Sequence, residues 1–141
     1  MAEPGSGGDG LVTSQSPFAV ADTVERLASA LERSGNTLFA RIDHAAGAAE
    51  VGLALRPTVL LIFGNPKGGT AFMQAVQPAG IDLPLKVLVY QDAEARTQVA
   101  FSGAGYVVRR HGIEGLDAMA ATLDERVLGL LRSALTTSGV Q

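Results

Sequence analysis

The chain has 141 residues and a mass of 14.5 kDa, room for one domain of ordinary size and not for two independent cores. Hydrophobic residues reach 47% and charged residues 18%, which excludes intrinsic disorder for the bulk of the chain, and a net charge of -3 excludes a sequence-wide basic field for nucleic acid or an anionic membrane. The cysteine count is 0, so disulfide scaffolds, thiolate metal sites and a cysteine nucleophile are excluded together.

The Gly-rich start, Met1 to Gly10, has neither a basic n-region nor an apolar h-region and reads as a flexible tail rather than a secretory signal. A single domain is expected over 13–136, between tails at 1–12 and 137–141. Ser16 and Pro17 read as an N-cap and a first-turn proline. Val20, Val24, Leu27 and Leu31 then recur at helical spacing until Gly35 stops the helix. Residues 36–43 alternate, with Leu38, Ala40 and Ile42 on one side of a strand, and the Ala-rich residues 44–53 predict a short helix with Asp43 as its N-cap.

Thr58 to Phe63 is a continuous apolar run, as expected of a central strand covered on both faces. The longest apolar run is far short of the roughly 20 residues of a membrane span, and the cytoplasm is the expected compartment. After the Gly64 to Gly69 loop, Thr70 is positioned to cap a helix through Gln77. Pro84 opens a strand over 85–90 that presents Leu85, Val87 and Val89 on one face and Lys86, Leu88 and Tyr90 on the other. A polar turn leads into a returning strand from Arg96 to Ser102, with Val99 and Phe101 inward, and a short helical segment carries Tyr106 to His111. The last helix is marked by a stripe from Leu116 to Ala134, with Asp117, Asp124, Glu125 and Arg132 on its wet side. This order favours α+β over strict βαβ alternation: a curved antiparallel sheet of about four to five strands, packed by helices on one face and ending in a long C-terminal helix.

Four polar groups could carry chemistry. Gly64-Asn65-Pro66-Lys67-Gly68-Gly69-Thr70 lies between a strand and a helix, as a phosphate-binding loop does. Lys67 precedes the second glycine, however, and Pro66 removes a cradling N–H, so it is not a Walker A loop. A tight turn, or a small-anion contact from Lys67, are the remaining readings. Asp43 next to His44 fits an acid/base pair, in which the carboxylate orients the imidazole; capping of the following helix is the commoner job of such an Asp. Lys86 in an apolar strand is either an ordinary strand lysine or, on a covered face, a base, Schiff-base amine or anion clamp. Arg109-Arg110-His111 after Tyr106 could bind a carboxylate or phosphate, or simply favour a helix C-terminus. With 2 His in the chain, a multi-histidine metal site within one subunit is not expected, and the absence of a Gly-x-Ser-x-Gly elbow disfavours a serine hydrolase.

Taken together, Asp43-His44, Gly64-Asn65-Pro66-Lys67, Leu83-Pro84-Leu85-Lys86, and Tyr106 with Arg110-His111 resemble the DUF302 family over roughly residues 17 to 135. The resemblance implies an α+β fold akin to one half of the TATA-binding protein and a homodimer. The acidic balance argues against nucleic-acid binding. The family's function is uncharacterised, so the expectation is a small-molecule-binding domain for an anionic or carbonyl-bearing metabolite, with enzymatic activity left open between a cyclase, isomerase or lyase and a non-catalytic ligand-binding or structural dimer module. Its candidate catalytic residues are Asp43, His44 and Lys86, and its candidate ligand-binding residues are Asn65, Lys67, Tyr106 and His111. No cofactor, metal or membrane partner is expected.

Overall fold

The computed structural model describes residues 5–6 and 10–137. Five strands form an open antiparallel sheet: β2 (Leu11–Ser16), β3 (Thr37–Asp43), β4 (Thr58–Gly64), β5 (Leu85–Gln91) and β6 (Thr97–Ser102), with a two-residue β1 (Gly5–Ser6) extending one edge. Spatially the order is β1-β2-β6-β5-β4-β3. The strands β3 to β6 form a meander, whereas β2 pairs with β6 at the far side. The helix α1 (Val20–Arg33) therefore carries the chain from one side of the sheet to the other.

The period-2 pattern decides which face is covered. Leu61 is in register with Val87, and Phe63 with Leu85, while Val89 faces Val99 and Val87 faces Phe101. These side chains, all buried, pack against Val20, Val24, Leu27 and Leu31 of α1 and against Val127, Leu131 and Leu135 in and just after α5 (Asp117–Ala134). The other face carries Ala40, Ile42, Leu60, Ile62, Lys86, Leu88 and Tyr90, which are half-buried or exposed. So β4 is neither central nor covered on both faces, as its apolar run had suggested. It lies next to the β3 edge, and its outward Leu60 and Ile62 remain partly open.

Beyond the end of the sheet a second core links α3 (Pro66–Ala75), a 3-10 turn (Gln77–Asp82), α4 (Ala104–His111) and α5 through Phe72, Ala79, Val107, Val108, Ile113 and Ala120. Leu83 and Leu123 touch both cores and join them. The short helix α2 (His44–Glu50) follows β3 and has no buried residue.

Three expected helix features are corrected. The first helix begins at Val20, not at Pro17. Ser16 is the last residue of β2, where its hydroxyl bonds the Thr23 hydroxyl at 2.7 Å and accepts from the Phe18 amide at 3.1 Å. The third helix begins at Pro66 rather than at Thr70, so Gly68 and Gly69 are helical. Asp124 is not on the wet side of α5, because its carboxylate accepts from the amides of Ala104 (2.6 Å) and Gly105 (2.9 Å) and caps α4 from twenty residues away. That capping requires Gly103, since a Cβ there would fall inside contact distance of the Asp124 carboxylate. The tail expected over residues 1–12 lies partly outside the described residues, and β2 takes up its last two positions.

Candidate functional site

Where β4 ends and β5 begins, the chain leaves a cleft of about 280 Å³ against α5. Phe39, Phe63, Phe72, Met73, Leu83, Leu123 and Val127 make its walls apolar, and Asn36, Asn65 and Thr70 supply its polar side chains. The local chemistry of Asn65 and Pro66 explains the shape of one wall. The Asn65 Oδ1 accepts from the Lys67 amide at 2.9 Å and caps α3, and Pro66 occupies the first turn, where its missing N–H leaves nothing unsatisfied. The Asn65 carbonyl then takes the amides of Gly68 (2.9 Å) and Gly69 (3.2 Å).

Gly68 and Gly69 both line the cleft. A Cβ on Gly68 would find its nearest neighbour, Leu123 Cδ2, at 3.9 Å, and one on Gly69 would find Leu83 Cδ1 at 3.9 Å. Those are ordinary contacts, and neither glycine has a positive φ. Each glycine costs a helix interior about 0.5–1 kcal/mol relative to alanine. Neither backbone strain nor crowding demands them; what their bare backbone preserves is open space beside Leu83 and Leu123.

A second cavity, of about 260 Å³, is lined by Ile81, Asp82, Lys86, Ser102, Tyr106 and Val107. Lys86 stands on the open face of β5 and donates from Nζ to the Pro84 carbonyl at 2.9 Å. Asp82, at the end of the 3-10 turn, accepts from Arg110 Nη1 at 2.8 and 3.0 Å, and its Oδ2 lies 2.6 Å from His111 Nε2. The His111 side chain is only 12% exposed, so α4 presents this imidazole inward to Asp82, and His111 backs the cavity rather than lining it.

Asp43 and His44 lie elsewhere. Asp43 is in register with Val59 and through it with Val89, whereas Lys86 is in register with Ile62 and Ser102, towards the other end of the sheet. The Asp43 Oδ1 accepts from the Ala46 amide at 2.9 Å and caps α2, and His44 is the exposed first residue of that helix. The acid/base pairing that the sequence suggested is therefore not assembled with Lys86, and His44 does not converge with His111. Of the ligand-binding candidates, Asn65 lines the apolar cleft, Lys67 is exposed beside it, and Tyr106 lines the second cavity.

Sequence reasoning missed Asp82 and Ser102 as site residues. Asp82 gains its role from Arg110 and His111, 28 and 29 positions later, and no local pattern announces that pairing. For the cleft, the sequence offered Asn65 and the Gly68-Gly69 pair, which only the structure places in a helix. Far from both cavities, at the β5–β6 turn, the Gln98 side-chain amide and the amides of Arg96 and Glu94 hold the Asp92 carboxyl below the usual carboxylate range.

A family model described as domain of unknown function DUF302 matches residues 12–134. The fold is similar to a crystal structure of an uncharacterised conserved DUF302 protein from Bacillus stearothermophilus, with a TM-score of 0.81 and 22% identity over 92% of this chain and 100% of that one. The chain is also 41% identical over 104 residues to proteins named fluoride-specific ion channel FluC 1 in Brucella suis and in Brucella abortus. The match takes in 74% of this chain but 41% and 38% of those relatives, so the chain spans about two fifths of their length.

Proposed function

The chain belongs to the DUF302 family, and we propose that it is a small-molecule-binding protein whose ligand occupies the apolar cleft between α3, the start of β5 and α5. The observation that carries this reading is the pair of helical glycines, which keep the wall open at a cost to helix stability. An aromatic or short aliphatic body matches Phe39, Phe72 and Leu83, and a carbonyl or similar polar head matches Asn36, Asn65 and Thr70 at the polar side chains of the cleft. Binding fits better than acid/base turnover, because Asp43 is committed to capping α2 and His44 lies with it, towards the other end of the sheet from Lys86.

A thermal-shift screen of small aromatic and carbonyl compounds tests this directly, since a ligand that prefers the native state raises its melting temperature. The expected hit is lost in Gly69→Leu, which fills the cleft, while that variant stays folded. A hit that binds Gly69→Leu equally well would overturn the assignment.

The Brucella relatives favour a second reading. No described helix here is long and apolar enough to cross a membrane, so the part of those relatives that matches this chain corresponds to no helical span in it. We propose that a domain of this kind works beside a membrane channel, from the cytoplasm. Co-purification with a co-expressed channel of the named type is expected, and separate elution would count against it. The partly open apolar face, with Ile42, Leu60, Ile62 and Leu88, is the surface we propose for a homodimer; sedimentation of a monomer at micromolar concentration would refute it.

A further inference from the structure

We propose that the cavity beside Lys86 is a second, separate ligand site and that it takes a small carboxylate. An ammonium carries three donors, and that of Lys86 has one acceptor among the described residues, the Pro84 carbonyl. Among the described residues the only carboxylate lining the cavity, Asp82, is engaged by Arg110 and His111 and is not within ion-pair distance of Lys86. Lys86 is half-buried, and among the described residues no side chain pairs with its positive charge.

The neighbouring hydroxyls point the same way. Among the described residues, neither the Ser102 nor the Tyr106 hydroxyl has a hydrogen-bond partner, although both residues are half-buried and both line this cavity. Two unused hydroxyl donors and an ammonium with spare donor capacity suit an anion with two acceptor oxygens, and hydrogen bonds to ionised groups are the stronger kind. The rest of the wall selects among anions. Val107 is buried, and Ile81 is 75% exposed, an apolar rim that a short hydrocarbon tail would cover. A carboxylate of a few carbons fits this combination better than inorganic phosphate, which has no apolar part to cover Ile81 and carries charge that one lysine would not balance.

The test is a titration of the 15N-labelled chain with sodium butanoate, followed by amide chemical shifts, with 1-butanol and inorganic phosphate as controls. Butanoate is expected to saturate and to move the amides of Lys86, Ser102, Tyr106 and Val107; butanol should leave them in place and phosphate should bind more weakly. In Lys86→Met the butanoate affinity should fall by about tenfold or more, the loss of a hydrogen bond to a charged group, and in Tyr106→Phe by a smaller factor. Gly69→Leu, which blocks the apolar cleft, should leave it unchanged, so this site and the cleft succeed or fail separately. Shifts centred elsewhere in the wild-type chain, phosphate binding as tight as butanoate, or an unchanged titration in folded Lys86→Met would each overturn the proposal. The wild-type shift map decides the matter even if Lys86→Met does not fold.

Discussion

The two ends of the sheet hold their aspartates in opposite ways. At the end where β3 passes into α2, Asp43 bonds an amide three residues on, and His44 faces solvent. At the end where β4 and β6 finish, two aspartates reach across long stretches of sequence: Asp82 to Arg110 and His111, and Asp124 to the amides of Ala104 and Gly105. A local contact can be satisfied by the segment alone and ties no separate elements together. Contacts between separate elements hold those elements apart as well as together, and both cavities described above lie at that end.

The largest expected difference between the two ends comes from Phe72→Ala. Phe72 is fully buried in the second core and also lines the cleft, so truncation should destabilise the protein by about 3–5 kcal/mol in chemical denaturation. A loss below about 1 kcal/mol would show that this end of the molecule does not fold as one unit with the sheet.

Asp124→Ala comes next. It strips the amides of buried Ala104 and half-buried Gly105 of their acceptor and should cost about 1–3 kcal/mol, with the loss concentrated in hydrogen-exchange protection of α4. Protection lost evenly over the whole chain would argue against a local capping role.

Asp43→Ala removes a cap of the ordinary kind from an exposed helix, and a smaller loss of about 1 kcal/mol is expected. His44→Ala should change stability by no more than about 0.5 kcal/mol and should leave any cleft ligand bound. A large effect of His44→Ala on binding would erase the contrast between the two ends.

The smallest effect belongs to Asp92, whose carboxyl is held below its ordinary range first by the Gln98 side chain and then by the Arg96 amide. The unfolded chain therefore binds more protons just below the ordinary carboxylate value of about 4, so stability rises with pH through that window and is lost as pH falls through the folded value. Asp92→Asn should flatten this part of the acid limb, and an unaltered pH profile would remove Asp92 from the account of acid stability.

The pair Ser16-Pro17 and the pair Asn65-Pro66 show where local reading holds and where it stops. Both combine a capping residue with a following proline, the mark of a helix start. At Asn65 that reading holds, since the cap and the first-turn proline are both present in α3, which starts ahead of Thr70. At Ser16 the same mark fails because β2 pairs with β6 through Ser16 and Thr97, and the hydroxyl is drawn to Thr23. Hairpin partners β5 and β6 were readable because their alternation and short turn lie in one stretch. The pairing of β2 with β6 was not, because more than eighty residues separate them.

By itself, the low-charge, cysteine-free sequence determined the α+β class and the buried faces of α1, β5, β6 and α5, because those follow from periods of 3.6 and 2 along the chain. It also placed Asn65, Lys86 and Tyr106 among the residues to watch. Only the tertiary structure decided that Asn65 and Lys86 line different cavities, that Asp43 and His44 lie apart from both, and that Asp82 and Asp124 are tied to distant elements. Periodicity fixes which side of an element is buried; which elements then meet depends on packing across the whole chain, and that is where the cavities are made.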